Sequence, residues 1–411
     1  MPPAAGTDFL PGLRVNEIRK DIQDARTIPG ELLFLNRLKQ NESPNRYLMA
    51  KWKGNLQIAD LIAPNSPGVA YQASRVYLEA SNLQSMKVGT VWSADQVEEY
   101  YEVKAAITMD PDGIFAKDVF FRTVMNQVIG TEWRQEWLAV AMATDGFYGT
   151  SSYNRLGFSM TDASGRSPTW GMKPDMKSFV QTPLGNPDGS VNVACPIITY
   201  IFNMIETRRR RYGRETNRLT MPTAVKRGIQ LTTEFKNLAV FQQAPFTTFN
   251  NISPADYPLL DDLLNRVLKG VGNSSRDLEV VSYDAVYQSE NGDGSPSIYY
   301  PFLPLAPEAC IILDDKRNDR NDAVHDFGIG TTMESRADSI RFSNGVVPGG
   351  LPPGEPGMFS YFDMPSSMNP ATFSIWTTMR GWPRKFDEVC ESVLFLGPLV
   401  DPVPLTDIAI V

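Results

Sequence analysis

The sequence predicts an α+β chain built on long, extended elements rather than one compact catalytic domain. Three observations carry this expectation. Ile114 to Ala143 form a single amphipathic run without proline, a strand-like hairpin over Tyr71–Ile107 precedes it, and no catalytic constellation stands out along the chain. Apolar side chains recur in the run at Ile114, Phe115, Val119, Phe120, Val124, Val128, Ile129, Trp133, Trp137, Val140 and Ala141, the spacing of one helix face. Such a helix is roughly 45 Å long, two to three times the usual length in a compact domain. Those proportions suit an architectural part better than an enzyme.

Residues 1–70 read as an arm with embedded helices at Val15–Arg26 and Gly30–Gln40, broken at Pro29. QIADLIAPNSPGVAYQ then halts regular structure with its prolines and glycine. Residues 71–109 form the extended loop: strand alternation at Arg75–Glu79 and, more loosely, at Glu99–Ala105 flanks a polar tip, about Asn82–Val97. That tip has little apolar surface to bury against itself, so the loop is expected to project over a neighbour. After the long helix, Thr144–Asn192 is rich in Gly, Ser, Pro and Asp, and a loop of that length is functional or held by partners.

Helical spacing resumes at Pro196–Arg211, with Pro at the opening and four arginines at the end. A short strand at Asn217–Met221 leads through Pro222 to a helix at Thr223–Leu231. A further helix is expected at Pro258–Leu268, strands at Leu278–Tyr287 and Tyr299–Leu313, and paired closing strands at Thr372–Met379 and Phe386–Leu396.

Composition narrows the function. The chain has 411 residues, 42% hydrophobic and 21% charged, ordinary globular values. A net charge of −8 argues against general nucleic-acid binding. No stretch approaches the apolar length of a membrane helix, and MPPAAGTDFLPGL lacks the basic and apolar regions of a secretory signal. Cys195, Cys310 and Cys390 are too widely spaced for a disulfide framework or zinc motif, and free thiols fit a reducing cytosol. The single histidine, His325, lies in DDKRNDRNDAVHDFG and reads as an ordinary loop residue.

Two charged segments merit weighing. Arg208–Arg211 is short for a nucleic-acid tract; it reads as a helix end complementing the dipole, or as cations pairing with carboxylates. Asp314–Asp322 offers oxygen donors, yet lacks the spacing and terminal Glu of a calcium loop and alternates with cations. Gly328–Gly330 and Gly349–Gly350 fit no phosphate loop, and GxSxG, HExxH and CxxC are absent. No catalytic, cofactor-binding or metal-binding residue is assigned.

The order of elements resembles the major capsid proteins of tailed bacteriophages, the Hong Kong 97-type shell fold. Asn55–Pro64 resembles the passage from N-terminal arm to extended loop, Tyr100–Ile107 the loop's returning strand, and Trp133–Ala141 the end of the spine helix. Tyr212–Gly213 with Asn217, followed by Leu219–Pro222 and Thr223–Val225, resembles the family's helix–GxxPN–strand–helix passage into the axial domain, with Thr216 where proline is usual. The likeness covers about residues 55 to 235 by motif and the remainder by element order.

The resemblance implies an arm (1–70), extended loop (71–109), peripheral domain (110–212) with spine helix 114–143, axial domain (213–371) and peripheral return strands (372–411). It implies a non-enzymatic shell subunit, assembling with itself as pentamers and hexamers in the bacterial host cytoplasm into a virion capsid around double-stranded DNA, without sequence specificity. Portal, scaffold or decoration proteins are the other partners it brings, with no membrane. An encapsulin-like compartment is the alternative on the same fold. A soluble carboxylate/Arg enzyme with a lid loop is the alternative of another class.

Overall fold

The computed structural model describes residues 32–42, 46–53, 75–92, 114–145, 170, 172–186, 189–241, 257–271, 278–285, 287–290, 296–299, 309–332, 356–363 and 373–397. The chain divides into two compact units. One takes Met1–Met49, Glu79–Leu138 and Asp326–Arg384, the other Ala50–Leu78, Ala139–His325 and Lys385–Val411. The division thus falls at 49/50, 78/79, 138/139, 325/326 and 384/385.

In the first unit a five-stranded sheet is organised around the longest strand. Its members are β1 (Gln40–Glu42), β4 (Gln84–Trp92), β11 (His325–Gly330), β12 (Met358–Asp363) and β13 (Phe373–Lys385). β4 runs antiparallel to β13 from Phe373↔Trp92 to Gly381↔Gln84, and β1 lies parallel to β11. Gly89 stands opposite Trp376, and a Cβ there would come within 2.1 Å of the indole. Only glycine leaves that space.

This pairing corrects the expected tip of the hairpin. The strand at Arg75–Asn82 (β3) exists, and among the described residues it pairs with β2 (Arg46–Lys53), inside the stretch read as arm. Gln84–Trp92, expected in a projecting tip, is bound to β13 instead. Alternation reveals a strand but not its partner. The expected return at 99–105 lies outside the described residues, as do the arm helix at 15–26 and the motif at 55–64.

The long helix, α2, spans Ile114–Ala143 as expected and continues through Gly130; a short α1 (Leu33–Arg37) precedes it. Within the first unit glutamines of the helix hydrogen-bond to the sheet. Gln127 Nε2 donates to Thr90 Oγ1 at 3.1 Å, and Thr377 Oγ1 donates to Gln127 Oε1 at 3.0 Å. Gln135 Nε2 donates to Met379 Sδ. Glu136 accepts the N–H groups of Phe34 and Leu35 at 3.0 and 2.6 Å, supplying the anion that the opening of α1 lacks. The expected apolar stripe therefore needs correction: Ile129 is exposed, Gln127, Thr131, Glu132, Gln135 and Glu136 are buried, and residues 135–145 are buried on every side.

The second unit is a mixed sheet packed with helices. Its order is β5 (Lys177–Phe179), β14 (Ser392–Phe395), β10 (Cys310–Asp314), β6 (Arg218–Met221) and β7 (Glu279–Ser282). β10 is antiparallel to both neighbours, whereas β5 and β7 add in parallel at the edges. β10 and β14 are buried along their length, so they read as unbroken apolar runs. α3 (Ile197–Tyr212), α4 (Thr223–Leu231), α5 (Thr233–Phe241) and α6 (Tyr257–Val271) supply the rest of the core through Ile197, Ile201, Val225, Ile229, Phe235 and Leu264. α5 had no sequence expectation.

Other strand expectations divide. Leu278–Tyr287 contains β7 and the start of β8 (Tyr287–Glu290), which pairs with β9 (Pro296–Tyr299). The two closing strands do not pair with each other: β13 and β14 belong to different sheets. Part of the long loop after α2 is held by Asp145. Its Oδ1 accepts from the N–H groups of Trp170 and Met172, and its Oδ2 pairs with Lys177 Nζ.

Candidate functional site

The arginine run is not one patch. On α3 the residues Ile197, Ile201, Met204 and Arg208 share the buried face, because steps of three and four bring side chains to one side. Arg208 is therefore 0% exposed. Its guanidinium donates to the carbonyls of Leu313 and Cys390, the latter at 2.9 Å, and to Ser392 Oγ at 3.3 Å. It thus ties α3 to β10 and β14. Burial pulls its pKa down, opposed by Asp314 and other nearby anions. Arg210 instead pairs with Glu206 one turn back, and Arg211 with Asp175. The Arg211 hydrogen bond holds the Asp175 carboxyl below its ordinary range.

The helix ends at Gly213, whose left-handed φ of 61° lets its N–H and that of Arg214 reach the carbonyls of Arg209 and Arg208. Asn217 follows as a bracket between strands. Its side chain donates to Asp315 Oδ1 at 2.9 Å and accepts from Lys316 N at 2.8 Å, while its backbone bonds Asp314 and Glu279. Arg218 is buried and forks onto two carboxylates, Asp314 and Asp319. Burial lowers the Arg218 pKa, but those two partners raise it further, so the net shift is upward.

These contacts explain why Asp314–Asp322 does not form a calcium loop. Asp314 and Asp319 are both paired with Arg218, and Asp315 caps a single 3₁₀ turn at Lys316–Asn318 and pairs with Arg317. The carboxylates serve the turn between β10 and β11.

His325 is not on an exposed loop. It opens β11 at 3% exposure, and neither ring nitrogen has a hydrogen-bond partner. Its Nδ1 lies 3.9 Å from Glu391 Oε1. Glu391 Oε2 is 2.8 Å from Lys385 Nζ, which also donates to the carbonyl of Met142 at 3.2 Å. The Cys390 thiol completes the group: ligand atoms of His325, Cys390 and Glu391 all lie within 4.8 Å of one another. Burial lowers the His325 pKa, with Glu391 opposing, and raises that of the Cys390 thiol. Burial also disfavours the Lys385 ammonium, but Glu391, Cys390 and Asp145 together outweigh it, so its pKa rises. Cys195, Cys310 and Cys390 are buried thiols outside any disulfide.

Sequence reasoning passed over Arg208, Arg218, Lys385 and Glu391 individually. A signal existed for two of them. Arg208 continues the apolar face of α3, and Glu391 sits at the head of Ser392-Val393-Leu394-Phe395, a run too apolar for a surface strand. A charge embedded in such a pattern marks a buried partner. Among the described residues, no helix is long and apolar enough to cross a membrane.

No family model matches the chain, and no curated protein matches it. Among solved structures, a protein assigned as the capsid protein of an E. coli CFT073 prophage aligns over 94% of this chain and 99% of its own, at 12% identity and a TM-score of 0.50. A phage-related protein from Bordetella bronchiseptica RB50 aligns over 92% and 95%, at 10% identity and a TM-score of 0.41. An encapsulin complex from Synechococcus elongatus PCC 7942 aligns over 93% and 96%, at 12% identity and a TM-score of 0.35. The α+β chain has the Hong Kong 97-type shell fold.

Proposed function

We propose that this chain is the major capsid protein of a tailed phage, assembling with itself into an icosahedral head around double-stranded DNA. One observation carries the reading: the fold runs over nearly the whole of both chains in the comparison with the prophage protein. The chemistry of the described residues supports it. Asp314, Asp315 and Asp319 are engaged by arginines in a turn, and His325 is enclosed. We read the protein as non-enzymatic.

On this reading α2 is the spine helix. The unit with the β13 sheet is the peripheral domain, and the unit with the β10 sheet is the axial domain. The extended loop moves to the β2–β3 ribbon, residues 46–82, in place of residues 71–109. Shell contacts are pentameric and hexameric, with portal, scaffold or decoration proteins as further partners. DNA is held without sequence specificity and no membrane is involved, so the site of action is the virion capsid, assembled in the bacterial host cytoplasm.

Expression of the chain, followed by sedimentation and negative-stain imaging, tests the proposal. Closed particles of megadalton mass are the expected outcome, and nuclease-protected double-stranded DNA is expected in particles from infected or induced cells. A stable monomer under all conditions defeats the shell reading. Particles filled with a protein cargo and free of DNA replace it with an encapsulin-like compartment.

A further inference from the structure

We propose that His325, Cys390 and Glu391 form a binding site for one divalent transition-metal cation of the zinc class. The three residues come from two places in the chain, the start of β11 and the turn before β14, and converge in the interior of one unit. Each offers a different donor: an imidazole nitrogen, a thiol sulfur and a carboxylate oxygen. Buried imidazoles ordinarily satisfy at least one nitrogen, yet both nitrogens of His325 lack a hydrogen-bond partner at 3% exposure. A ring left unpaired costs desolvation with nothing returned, and a metal–nitrogen bond removes that cost.

The dimensions suit a small cation. The donor atoms lie within 4.8 Å of one another, somewhat wider than the roughly 3.5 Å edges of a tetrahedron with metal bonds of about 2.0–2.3 Å. Small rotations of the side chains close that difference. Lys385 plays the outer-sphere part: its ammonium holds Glu391 Oε2, while Glu391 Oε1 is the oxygen nearer His325.

Charge selects the ion. Thiolate and carboxylate balance a divalent cation, but Lys385 leaves one net positive charge on the filled site. Ions bound mainly by electrostatic attraction to oxygen, such as Mg²⁺ and Ca²⁺, gain too little from one carboxylate to accept this. Zn²⁺ and Co²⁺, which bond strongly to thiolate and imidazole, do gain enough. On binding, the Cys390 S–H bond breaks, a sulfur–metal bond forms and the proton passes to solvent. Three protein donors leave the fourth tetrahedral position for a water or another oxygen.

The test uses the full chain, stripped with a chelator and titrated with Co²⁺ and then Zn²⁺. One cobalt per chain is expected, with the absorption of a thiolate-to-cobalt charge transfer, loss of both on adding Zn²⁺, and release of one proton per ion. Cys390→Ser should abolish the charge-transfer band, and His325→Gln should weaken binding at least tenfold. Either variant could fold poorly, so the wild-type chain is also heated with and without Zn²⁺; a rise of several degrees in Tm is expected only if the folded state binds the ion. Sub-stoichiometric cobalt, cobalt bound without a thiolate band, a band that survives Cys390→Ser, or an unmoved Tm each overturns the site. None of these results depends on whether the chain forms a shell.

Discussion

Arg208 and Arg209 are neighbours with opposite fates, and the helix period alone separates them. Arg208 repeats the face of Ile197, Ile201 and Met204, so it is drawn inside and must find acceptors there. Replacing it by alanine removes its hydrogen bonds to the carbonyls of Leu313 and Cys390 and leaves a hole, at about 3–5 kcal/mol. Arg209→Ala, on the solvent side, should stay within about 0.5 kcal/mol. Urea unfolding of the unassembled chain measures both; equal effects would show that the four arginines act as one patch. Asp261 gives a pH-dependent counterpart. Burial raises its carboxyl, but hydrogen bonds from Lys226, Gln230 and Arg227 outweigh burial and hold the pKa below its ordinary value. The unfolded chain therefore takes up the proton first as pH falls. The contribution is full above the unfolded value of about 3.9 and disappears as pH drops through the lower folded one. Comparing wild type with Asp261→Asn should show a constant gap of about 1 kcal/mol near neutrality that closes below about pH 4.

Helices were readable from the sequence because their signals are local. The bounds Ile114–Ala143 and Thr223–Leu231 follow from spacing, a Pro at the entrance or a change of composition within a few residues. Strand partners were not readable, because pairing is decided by residues tens to hundreds of positions away. Arg75–Glu79 alternates as a strand should, yet nothing in it names Arg46–Lys53 as a neighbour. Gln84–Trp92 is harder still: its polar composition reads as a tip, while its backbone is spent on β13. The face of α2 misled for a related reason, since Gln127 and Gln135 serve sheet groups that only the fold brings near. The correction changes what a deletion does. Removing Ser81–Ser93 takes out β4 and, with it, the ladder from Trp92 to Gln84 along β13. The expected result is loss of the cooperative unfolding transition and altered circular dichroism, not a well-folded subunit that merely fails to assemble. Near-native circular dichroism in soluble deletion protein would show that β13 does without this partner.

The order of elements along the chain pointed to the shell fold where single motifs were weak, because each compact unit is assembled from separated segments. α2 and β13 each cross the division, so neither unit can be cut out as one continuous stretch. The buried cluster at His325 had no sequence signature, since its residues are 65 and 66 positions apart and no ligand spacing marks them. Charge leads to a last expectation about assembly. Each chain carries a net −8, so bringing copies together is opposed by like charge at every contact. Apolar burial between subunits is insensitive to modest salt, whereas the repulsion is screened over about 10 Å at 0.1 M and over less at higher ionic strength. Raising NaCl from low to moderate concentration should therefore increase the rate and yield of particles seen by light scattering. Were assembly driven by ion pairs between subunits, with exposed arginines such as Arg210 as the cations, added salt would dissolve the particles instead. Particle yield falling steadily with NaCl would thus rule out the apolar account and return the arginine run to the interface.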